Sequence, residues 1–476
     1  MSDAPEVIRD PVHNLIPLTG AEGAMIAELI DRPEFQRLRR IRQLGLGFFT
    51  YPGAEHSRWV HSLGVCHVAR RMLDALRTRH GDGSPEYVEL ASLRKEILAA
   101  ALMHDVGHGP FSHVFERAIP SALNPPNDYP KDHEDWSLRI IRERFDAVLH
   151  RHNVNPDVVV GLIDKTNRQH LLAKDFISSQ LDADRIDYLL RDSRATGTRY
   201  GDFDLDWLLH SLRVGKVRVK GRTDEVPRLC FSSRKAIHVI EEYIQAREFM
   251  YVQVYVHKTT RAYEALLTNI LGLAAAIVDG DLSKVPTACP EPLARMLAKQ
   301  TVNTEEYLSL DDFRLWCCLV DWAKRDADND QRLRRLAAMC RRLVNREQPY
   351  QTIDLSGRDQ QDKALELVTQ LRGTDRQFSC CRDAFTDLAY RNALYRKSKE
   401  GEEEEDRVIH FLDEEGATHP AESESDVLKA ISNIETAIYR LYYDETDGEL
   451  MEQLRSEGWV KNDNQQPEGW VGHERL

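Results

Sequence analysis

The stretch Ala101–His113, which reads ALMHDVGHGPFSH, joins an apolar helix end to a cluster of titratable side chains. The run Ile97–Met103 that leads into it predicts a buried helix. His104 and Asp105 follow directly, and they can offer an imidazole nitrogen and a carboxylate oxygen to the same cation. Polar titratable groups at an apolar helix end are unfavourable unless they are paired or ligated. The stretch therefore predicts a functional site.

Two further residues complete a set of metal ligands. His61 lies in the segment RWVHSLG before the stretch, and Asp184 lies in the segment LDADRIDY after it. With His104 and Asp105 they supply two imidazoles and two carboxylates from three predicted helices. Such a set suits Mn, Mg, Fe or Zn. The alternative is a buried polar network that holds no metal.

Length and composition favour a soluble, cytoplasmic protein. The 476 residues are 42% apolar and 30% charged, and the net charge of −14 disfavours nucleic acid as a partner. An anionic substrate would need a locally basic pocket. The longest apolar run, Ile270–Val278, is too short to span a bilayer, so no membrane is expected. The N-terminus lacks the features of a signal peptide, and the eight cysteines form no CxxC.

The periodicity predicts an all-α fold with a small β-hairpin. The hairpin is expected around 214–231, and a long helical region from Ser233 to Asp279, broken near Gly272. A helix is also expected over 174–192 and a last one over about 424–442. Four parts are expected along the chain: an N-terminal segment, a metal-dependent core, a helical region that completes the substrate pocket, and an acidic loop with a C-terminal helix and polar tail (1–55, 56–215, 216–398 and 399–476).

Several short motifs around these ligands resemble those of a known family. They are FQRLR at 35–39, QLG at 43–45, PGA at 52–54 and HSLG at 61–64. Together with the His-Asp doublet, they resemble the HD phosphohydrolase superfamily, and within it the deoxynucleoside-triphosphate triphosphohydrolases. The resemblance covers about residues 6–260 and includes no SAM-like segment. It implies an HD-domain helical core, a divalent metal ion and a deoxynucleoside triphosphate substrate.

Candidate acid–base residues lie outside the four metal ligands. His108 and His133 are suited to proton transfer because a histidine titrates near neutral pH. Glu116 could orient His108, although the family usually has an aspartate there. In the alternative, His108 and His133 bind a second metal, as in some HD phosphodiesterases.

Two arginines are candidates for the phosphate chain. Arg58 stands three residues before His61, and Arg185 directly follows Asp184. Their guanidinium groups suit phosphate oxygens, and the alternative for each is a surface ion pair. The resemblance likewise assigns both to the triphosphate.

The resemblance also implies a nucleoside pocket. It places Gln43, Tyr188 and Asp192 on the deoxyribose, with Tyr188 and Leu44 leaving no room for a 2′-hydroxyl. Arg247 and Tyr255 would line the same cavity, although packing alone would explain Tyr255. Tyr251 and Val256 replace a histidine and a glutamine of the family near the base, so the preferred base is left open.

A regulatory site is implied more weakly. Asp31, Gln36 and Arg39 match positions that bind an activating guanine nucleotide in the family, where nucleotide binding drives assembly into a dimer or tetramer. Glu6 and Arg9 replace a lysine and an asparagine of that site, and an acidic side chain repels phosphate. A homo-oligomer with a guanine-nucleotide activator is therefore the expectation, with a weakened activator site.

Three functions remain in competition. The first is hydrolysis of deoxynucleoside triphosphates to deoxynucleoside and triphosphate. The second is hydrolysis of another phosphoester, such as a nucleoside monophosphate, a cyclic nucleotide or an alarmone. The third is a regulatory HD module in which the metal is structural.

Overall fold

The computed structural model describes most of the 476 residues. The described ranges are 7–119, 129–219, 223–286, 288–325, 330–388, 390, 408–432 and 435–460. The predicted acidic loop at 399–406 and the polar tail from 461 onward lie outside them.

The N-terminal part is a short hairpin followed by helices. Strands β1 (Val7–Asp10) and β2 (Asn14–Pro17) pair antiparallel, and α1 (Gly20–Ile30) and α2 (Pro33–Gln36) follow. Pro33 begins α2, as a proline with its fixed φ readily does. A 3₁₀ turn over Arg37–Arg40 then leads towards the centre of the molecule.

Ten helices form the central body. They are α3 (Arg58–His80), α4 (Val88–Ser92), α5 (Arg94–Met103), α6 (His113–Ala118), α7 (His133–Ile140), α8 (Asp146–Arg151), α9 (Pro156–Ile163), α10 (Leu171–Lys174), α11 (Ala183–Thr196) and α12 (Leu205–Ser211). Helix α3 packs between α5 and α11. The helix expected over 174–192 is wrong in its first half, because α11 begins only at Ala183, where the Asp182 side chain caps it.

The predicted hairpin is present and belongs to a larger sheet. Strands β3 (Leu212–Arg218) and β4 (Glu225–Ser232) pair antiparallel. β7 (His410–Leu412) adds to β4 in parallel, and β8 (Thr418–Pro420) pairs with β7. The C-terminal segment therefore returns to the central body.

The long helical region is broken before the expected place. It consists of α13 (Ser233–Met250), a π-helical turn over Tyr251–Tyr255, and α14 (Lys258–Val278). The break lies at Val256 and His257, whereas Gly272 is helical. By length and composition α14 could cross a membrane, but 61% of its apolar window is buried inside the fold.

The C-terminal third combines helices with a further sheet of three strands. The helices are α15 (Glu291–Leu297), α16 (Thr304–Leu308), α17 (Asp312–Ala323), α18 (Gln331–Val344), α19 (Arg358–Leu371), α20 (Ala421–Glu424), α21 (Asp426–Ile431) and α22 (Gly448–Ser456). Strands β5 (Gln351–Asp354), β6 (Cys380–Leu388) and β9 (Glu435–Tyr443) form an antiparallel sheet in the order β5-β9-β6. Leu441 and Tyr443 of β9 join a separate small core with residues of α19 and α22.

The all-α prediction is therefore only approximate. The described residues hold nine strands in three small sheets beside the helices. The predicted helix over 424–442 is wrong, because α21 ends at Ile431 and β9 occupies 435–443. The sequence TAIYRLYY within β9 is rich in β-branched and aromatic residues, which favour a strand packed on both faces.

Candidate active site

His61 and Asp184 meet where the first turns of two helices approach each other. His61 lies in the first turn of α3, and Asp184 lies in the first turn of α11. The His61 Nε2 atom is 3.0 Å from Asp184 Oδ1 and 3.6 Å from Asp105 Oδ2. The His61 side chain is buried, whereas that of Asp184 is 28% exposed. Substrate could therefore approach from the side of Asp184.

His104 and Asp105 stand at the end of α5, as the sequence predicts. The His104 Nδ1 atom donates to the Ala101 carbonyl at 3.0 Å, which leaves Nε2 free to face the site. That Nε2 atom is 3.3 Å from Asp105 Oδ1 and 3.5 Å from Asp184 Oδ1. The fold thus brings all four predicted ligands together from three helix ends.

The four side chains favour a positive charge between them. Burial alone would lower the pKa of His61, but hydrogen bonds to Asp184 and Asp187 raise it to about 10. Burial also lowers the pKa of His104, but the contacts with Asp105 and Asp184 outweigh burial and raise it. The pKa values of both aspartates are lowered by the neighbouring imidazoles, and that of Asp105 also by Arg58, although burial opposes this. A divalent cation would satisfy the same field without protons on the imidazoles.

The donor set fits such a cation. The Nε2 atoms of His61 and His104 are buried and, within the part of the chain that the structure describes, have no hydrogen-bond partner of good geometry. Ligand atoms of His61, His104 and Asp105 lie within 4.8 Å of one another. Imidazole nitrogens that converge with carboxylate oxygens in this way could hold Mn, Fe, Zn or Mg.

A buried network fixes the orientation of His61. The carboxylate of Asp187 accepts hydrogen bonds from His61 Nδ1 at 2.8 Å and from His13 Nε2 at 2.7 Å. Arg191 contacts the same carboxylate with two nitrogens at 2.8 and 2.9 Å, and it also reaches Asp10 at 2.9 Å. A Cβ on Gly64 would lie 1.9 Å from Asp187 Oδ1, so only glycine lets α3 and α11 approach this closely. The N-terminal hairpin is thereby tied to a metal-ligand candidate.

A second cluster adjoins the first around Glu116. The His133 Nδ1 atom lies 2.9 Å and the His108 Nδ1 atom 3.3 Å from Glu116 Oε1, and His113 approaches the other oxygen at 3.2 Å. The His108 and His133 rings stack with centroids 3.8 Å apart. A Cβ on Gly107 would lie 2.2 Å from the His133 carbonyl oxygen, so this glycine allows α7 to approach.

The surroundings shift the pKa values of the two stacked histidines in opposite directions. Burial and the charge of Arg58 lower the pKa of His108 to about 3. His133 is also buried, but its contact with Glu116 raises its pKa. The three histidines together lower the pKa of Glu116 against the effect of its burial. A neutral His108 and a His133 whose pKa is raised therefore lie side by side, and the His108 Nε2 atom is 3.4 Å from Asp105.

The two candidate phosphate-binding arginines are both held by carboxylates. Arg58 is buried, with Nη1 2.5 Å from Asp105 Oδ2 and Nε 2.8 Å from the Ser112 hydroxyl. The Arg185 Nη1 atom lies 2.5 Å from Asp182, the residue that caps α11. Arg185 keeps 27% of its side chain exposed. Both therefore border the metal-ligand set without being free in solvent.

The nucleoside residues lie in and around a cavity of about 140 Å³. Gln43, Leu44 and Tyr255 line it, together with Ser112 and His113 from the metal side. The Gln43 Oε1 atom is buried and has no hydrogen-bond partner among the described residues. The cavity is roomy enough for one heterocyclic base.

Asp192 is the centre of the contacts next to this cavity. It accepts a hydrogen bond from the Tyr255 hydroxyl at 2.9 Å and from His56 Nε2 at 2.7 Å. The Tyr188 ring meets Tyr255 edge-on at 5.8 Å. The Arg247 guanidinium lies over the Tyr251 ring, 4.8 Å from its centroid, and the Tyr251 ring in turn meets the Tyr255 ring edge-on. The predicted pocket residues therefore form one connected group.

The predicted regulatory residues also lie close together. Arg39 Nε donates to Gln36 at 2.8 Å, and its guanidinium stacks over Trp59 at 3.5 Å. Gln36 donates to the Ile30 carbonyl at 2.7 Å, next to Asp31 at the end of α1. Glu6, the residue expected to disturb this site, lies outside the described residues.

Sequence reasoning missed the support of the site by the N-terminal hairpin. Asp187 lies on α11, three residues after Asp184, but no local pattern links it to His13. His56 was equally unassigned. A larger cavity of about 860 Å³ lies between this hairpin and α11 and α12, and none of the four metal-ligand candidates lines it.

Comparison with known proteins agrees with this geometry. The HD domain family matches residues 58–192, which span α3 to α11. The uncharacterised protein YwfO of Bacillus subtilis is 35% identical over 443 residues, which is 92% of each chain. The human deoxynucleoside triphosphate triphosphohydrolase SAMHD1 is 29% identical over 298 residues, 56% of this chain and 44% of the human protein.

A solved structure extends the likeness to nearly the whole chain. A phosphohydrolase from Bacteroides thetaiotaomicron superimposes with a TM-score of 0.70 at 26% identity, covering 92% of this chain and 99% of the other. The match to the HD domain falls on the helices that carry all four metal-ligand candidates. The chain belongs to the HD-domain phosphohydrolases.

Proposed function

We propose that the protein hydrolyses deoxynucleoside triphosphates to deoxynucleoside and inorganic triphosphate. The observation that carries this proposal is the convergence of His61, His104, Asp105 and Asp184 beside a base-sized cavity. The similarity to human SAMHD1 over 56% of this chain supports it further.

The reaction cleaves the bond between the α-phosphorus and the 5′-oxygen of the sugar. The oxygen of a water molecule goes to the triphosphate, and a proton goes to the 5′-oxygen that leaves. A bound divalent cation would acidify the water and neutralise charge on the phosphate. Arg58 and Arg185 would hold phosphate oxygens from either side of the ligand set.

Proton transfer falls to the cluster around Glu116. His133 is the better candidate for the general acid, because Glu116 raises its pKa and so keeps more of the ring protonated, whereas His108 stays neutral. Two titratable groups whose surroundings drive their pKa values apart suit distinct acid and base roles. Glu116 would hold both rings in place while His133 protonates the leaving 5′-oxygen.

The sugar would be held by the group around Asp192. Its carboxylate already accepts from Tyr255 and His56, and it can accept a further hydrogen bond from a ribose hydroxyl. Gln43 offers a buried oxygen without a partner for the same purpose. Tyr188 and Leu44 would exclude a 2′-hydroxyl by bulk.

The test is a product analysis with each of the four dNTPs and four NTPs, in Mn²⁺ or Mg²⁺ and with or without GTP. We expect inorganic triphosphate by ion-exchange chromatography from dNTPs alone. The doubly substituted His104→Ala, Asp105→Ala protein is the control and should form none. Pyrophosphate or phosphate as the product would overturn the proposal. If triphosphate formation depends on GTP, this would support a regulatory role for Asp31, Gln36 and Arg39. Size-exclusion chromatography with and without GTP would then show whether GTP changes the oligomeric state.

A second candidate is hydrolysis of another phosphoester by two metal ions. The ligand atoms of His108, His113, Glu116 and His133 also lie within 4.8 Å of one another, which favours it. A measured content of two metal ions per chain, together with cleavage of cyclic nucleotides, monophosphates or alarmones, would support this function. A metal-free protein that still folds and binds a partner would select a regulatory module.

A further inference from the structure

Three charged side chains line one wall of the cavity of about 140 Å³, and they are linked to a fourth on the C-terminal sheet. Glu264 Oε2 accepts from Arg117 Nη2 and from Arg261 Nη1, both at 2.8 Å. Arg261 then forms a fork with Asp383 of β6, through Nη2 at 2.6 Å and Nε at 2.9 Å. The chain Arg117–Glu264–Arg261–Asp383 thus links α6, α14 and the C-terminal sheet.

This wall differs from the wall that faces the metal ligands. Ser112 and Gln43 border the cavity and contact Arg58, which contacts Asp105. Arg117, Arg261 and Glu264 border the same cavity but contact no metal-ligand candidate. A triphosphate anchored at the metal ligands would therefore direct its base towards these three residues.

The unused groups on this wall include both donors and an acceptor. Both arginines bind the same oxygen of Glu264, and within the described residues no donor contacts the other oxygen, Oε1. Arg117 uses a single N–H of Nη2 in its contact with Glu264, so the other N–H of Nη2 and one neighbouring N–H remain as an adjacent pair of donors. Glu264 and Arg261 are only 15% and 18% exposed, so water competes weakly for them.

Guanine is the base that complements this arrangement. Its O6 and N7 atoms are adjacent acceptors that match the fork of a guanidinium. Its N1 and N2 groups are adjacent donors that can both approach the remaining oxygen of Glu264, Oε1. Adenine presents an amino donor beside N7, cytosine presents a single amino donor, and thymine presents a single ring N–H. None of the three offers both an adjacent acceptor pair and an adjacent donor pair.

We propose that Arg117, Glu264 and Arg261 select guanine as the base of the substrate. This inference rests on the proposed dNTP hydrolysis and names its preferred substrate as dGTP. Asp383 acts as a positioning residue, because it holds the Arg261 fork from the C-terminal sheet. The β5-β9-β6 sheet therefore contributes to specificity as well as to folding. Phe385 on the same strand stacks on Tyr251 at 5.8 Å, which fixes the sheet against the pocket.

The first test compares kcat/KM for dGTP, dATP, dCTP and dTTP, with GTP held constant. The wild-type enzyme should prefer dGTP roughly tenfold or more, as one good bidentate contact to guanine provides. Glu264→Gln and Arg117→Gln should bring the ratio of dGTP to dATP close to one. Arg234→Gln, which breaks an exposed Arg–Glu pair away from the cavity, should leave that ratio unchanged. A wild-type preference for another base, or an equal loss for all four dNTPs in the variants, would overturn the inference.

A binding measurement separates this inference from the proposed function. Calorimetry with deoxyguanosine and deoxyadenosine needs no hydrolysis. Tighter binding of deoxyguanosine that is lost in Glu264→Gln supports guanine selection even if no triphosphate is formed. Equal binding of the two nucleosides rules it out, whatever the enzyme hydrolyses. For Asp383→Asn we expect a raised KM for dGTP with metal content unchanged, whereas a purely structural role would lower only the melting temperature.

Discussion

His61 donates from Nδ1 to Asp187 Oδ2 at 2.8 Å, and the Asp187 side chain is fully buried. This hydrogen bond orients the imidazole, so that Nε2 faces Asp105 and Asp184 and can bind a cation held between them. Histidine ligands of metal ions usually donate their other nitrogen to such a carboxylate, which orients the ring and raises its basicity. Asp187 therefore acts on the metal through His61.

Asp187→Asn should weaken metal binding without removing a ligand. An asparagine keeps the size of the side chain but accepts less strongly from His61, so the ring loses its fixed orientation. We expect a fall in affinity of roughly 10–100-fold. Calorimetric titration of the metal-free protein with Mn²⁺ would measure it.

Asp10→Asn is the matched control for this substitution. Asp10 belongs to the same network through Arg191 but does not contact His61. If both variants lose affinity to the same extent, general loosening of the hairpin explains the result, and the role given to Asp187 is wrong.

Glu116→Gln should lower kcat without changing metal content. The carboxylate of Glu116 raises the pKa of His133, so its loss leaves less of the protonated acid at neutral pH. General acid catalysis by a positioned side chain contributes roughly 10²–10⁴-fold, and a fall within that range is expected. Steady-state kinetics and metal analysis of the purified variant would be compared.

The variant Glu134→Gln is the control for Glu116→Gln. Glu134 Oε1 lies 4.0 Å from His133 Nε2, so it is close to the same ring but does not form the tight contact. A variant Glu116→Gln that loses bound metal together with activity would instead identify the cluster as a second metal site.

The positions of the metal-ligand candidates could be predicted because each lies in a short local motif. His104 and Asp105 end an apolar helix, and His61 and Asp184 lie in the first turns of α3 and α11. Helix ends are recognisable from periodicity and capping residues. The central helices and the β3–β4 hairpin follow from the same local signals.

Features that depend on distant partners could not be predicted. The Arg261–Asp383 pair joins residues 122 positions apart, and the His13–Asp187 pair joins residues 174 positions apart. The helix predicted over 424–442 is wrong in its second half because the pairing of β9 with β5 and β6 is not visible in the sequence of β9 itself. The π-helical turn at Tyr251–Tyr255 likewise gave no periodic signal.

Tyr255→Phe should weaken substrate binding more than it slows the chemistry. The substitution removes the hydroxyl that donates to Asp192 Oδ2 at 2.9 Å and leaves the ring in place. This bond holds the Asp192 carboxylate in place for the sugar, and a hydrogen bond to a charged group contributes about 1.5–3 kcal/mol, so KM should rise by up to about an order of magnitude. Tyr251→Phe removes a hydroxyl from the neighbouring ring without touching Asp192. Equal KM values for the two variants would argue against a role of Asp192 in holding the sugar.

Acid should destabilise the protein through His67, whose Nδ1 atom is buried without a partner. Burial, followed by the charges of His13, Arg71 and Arg70, lowers the pKa of His67 from 6.5 to about 3. The unfolded chain therefore binds a proton at pH values where the folded chain does not. The stability that the neutral ring preserves above pH 6.5 is lost as the pH falls from 6.5 towards 3. The free energy of unfolding should drop by up to about 1.4 kcal/mol per pH unit on this account.

His67→Gln removes this titration, so its unfolding free energy should vary less between pH 7 and pH 5 than that of the wild type. Urea denaturation at both pH values measures the difference. His238→Gln is the control, since the side chain of His238 is 92% exposed and its loss should leave the pH dependence as it is. If the curves of His67→Gln and wild type stay parallel, the acid sensitivity lies in other groups, and the His67 ring is protonated in the folded state as readily as in the unfolded chain.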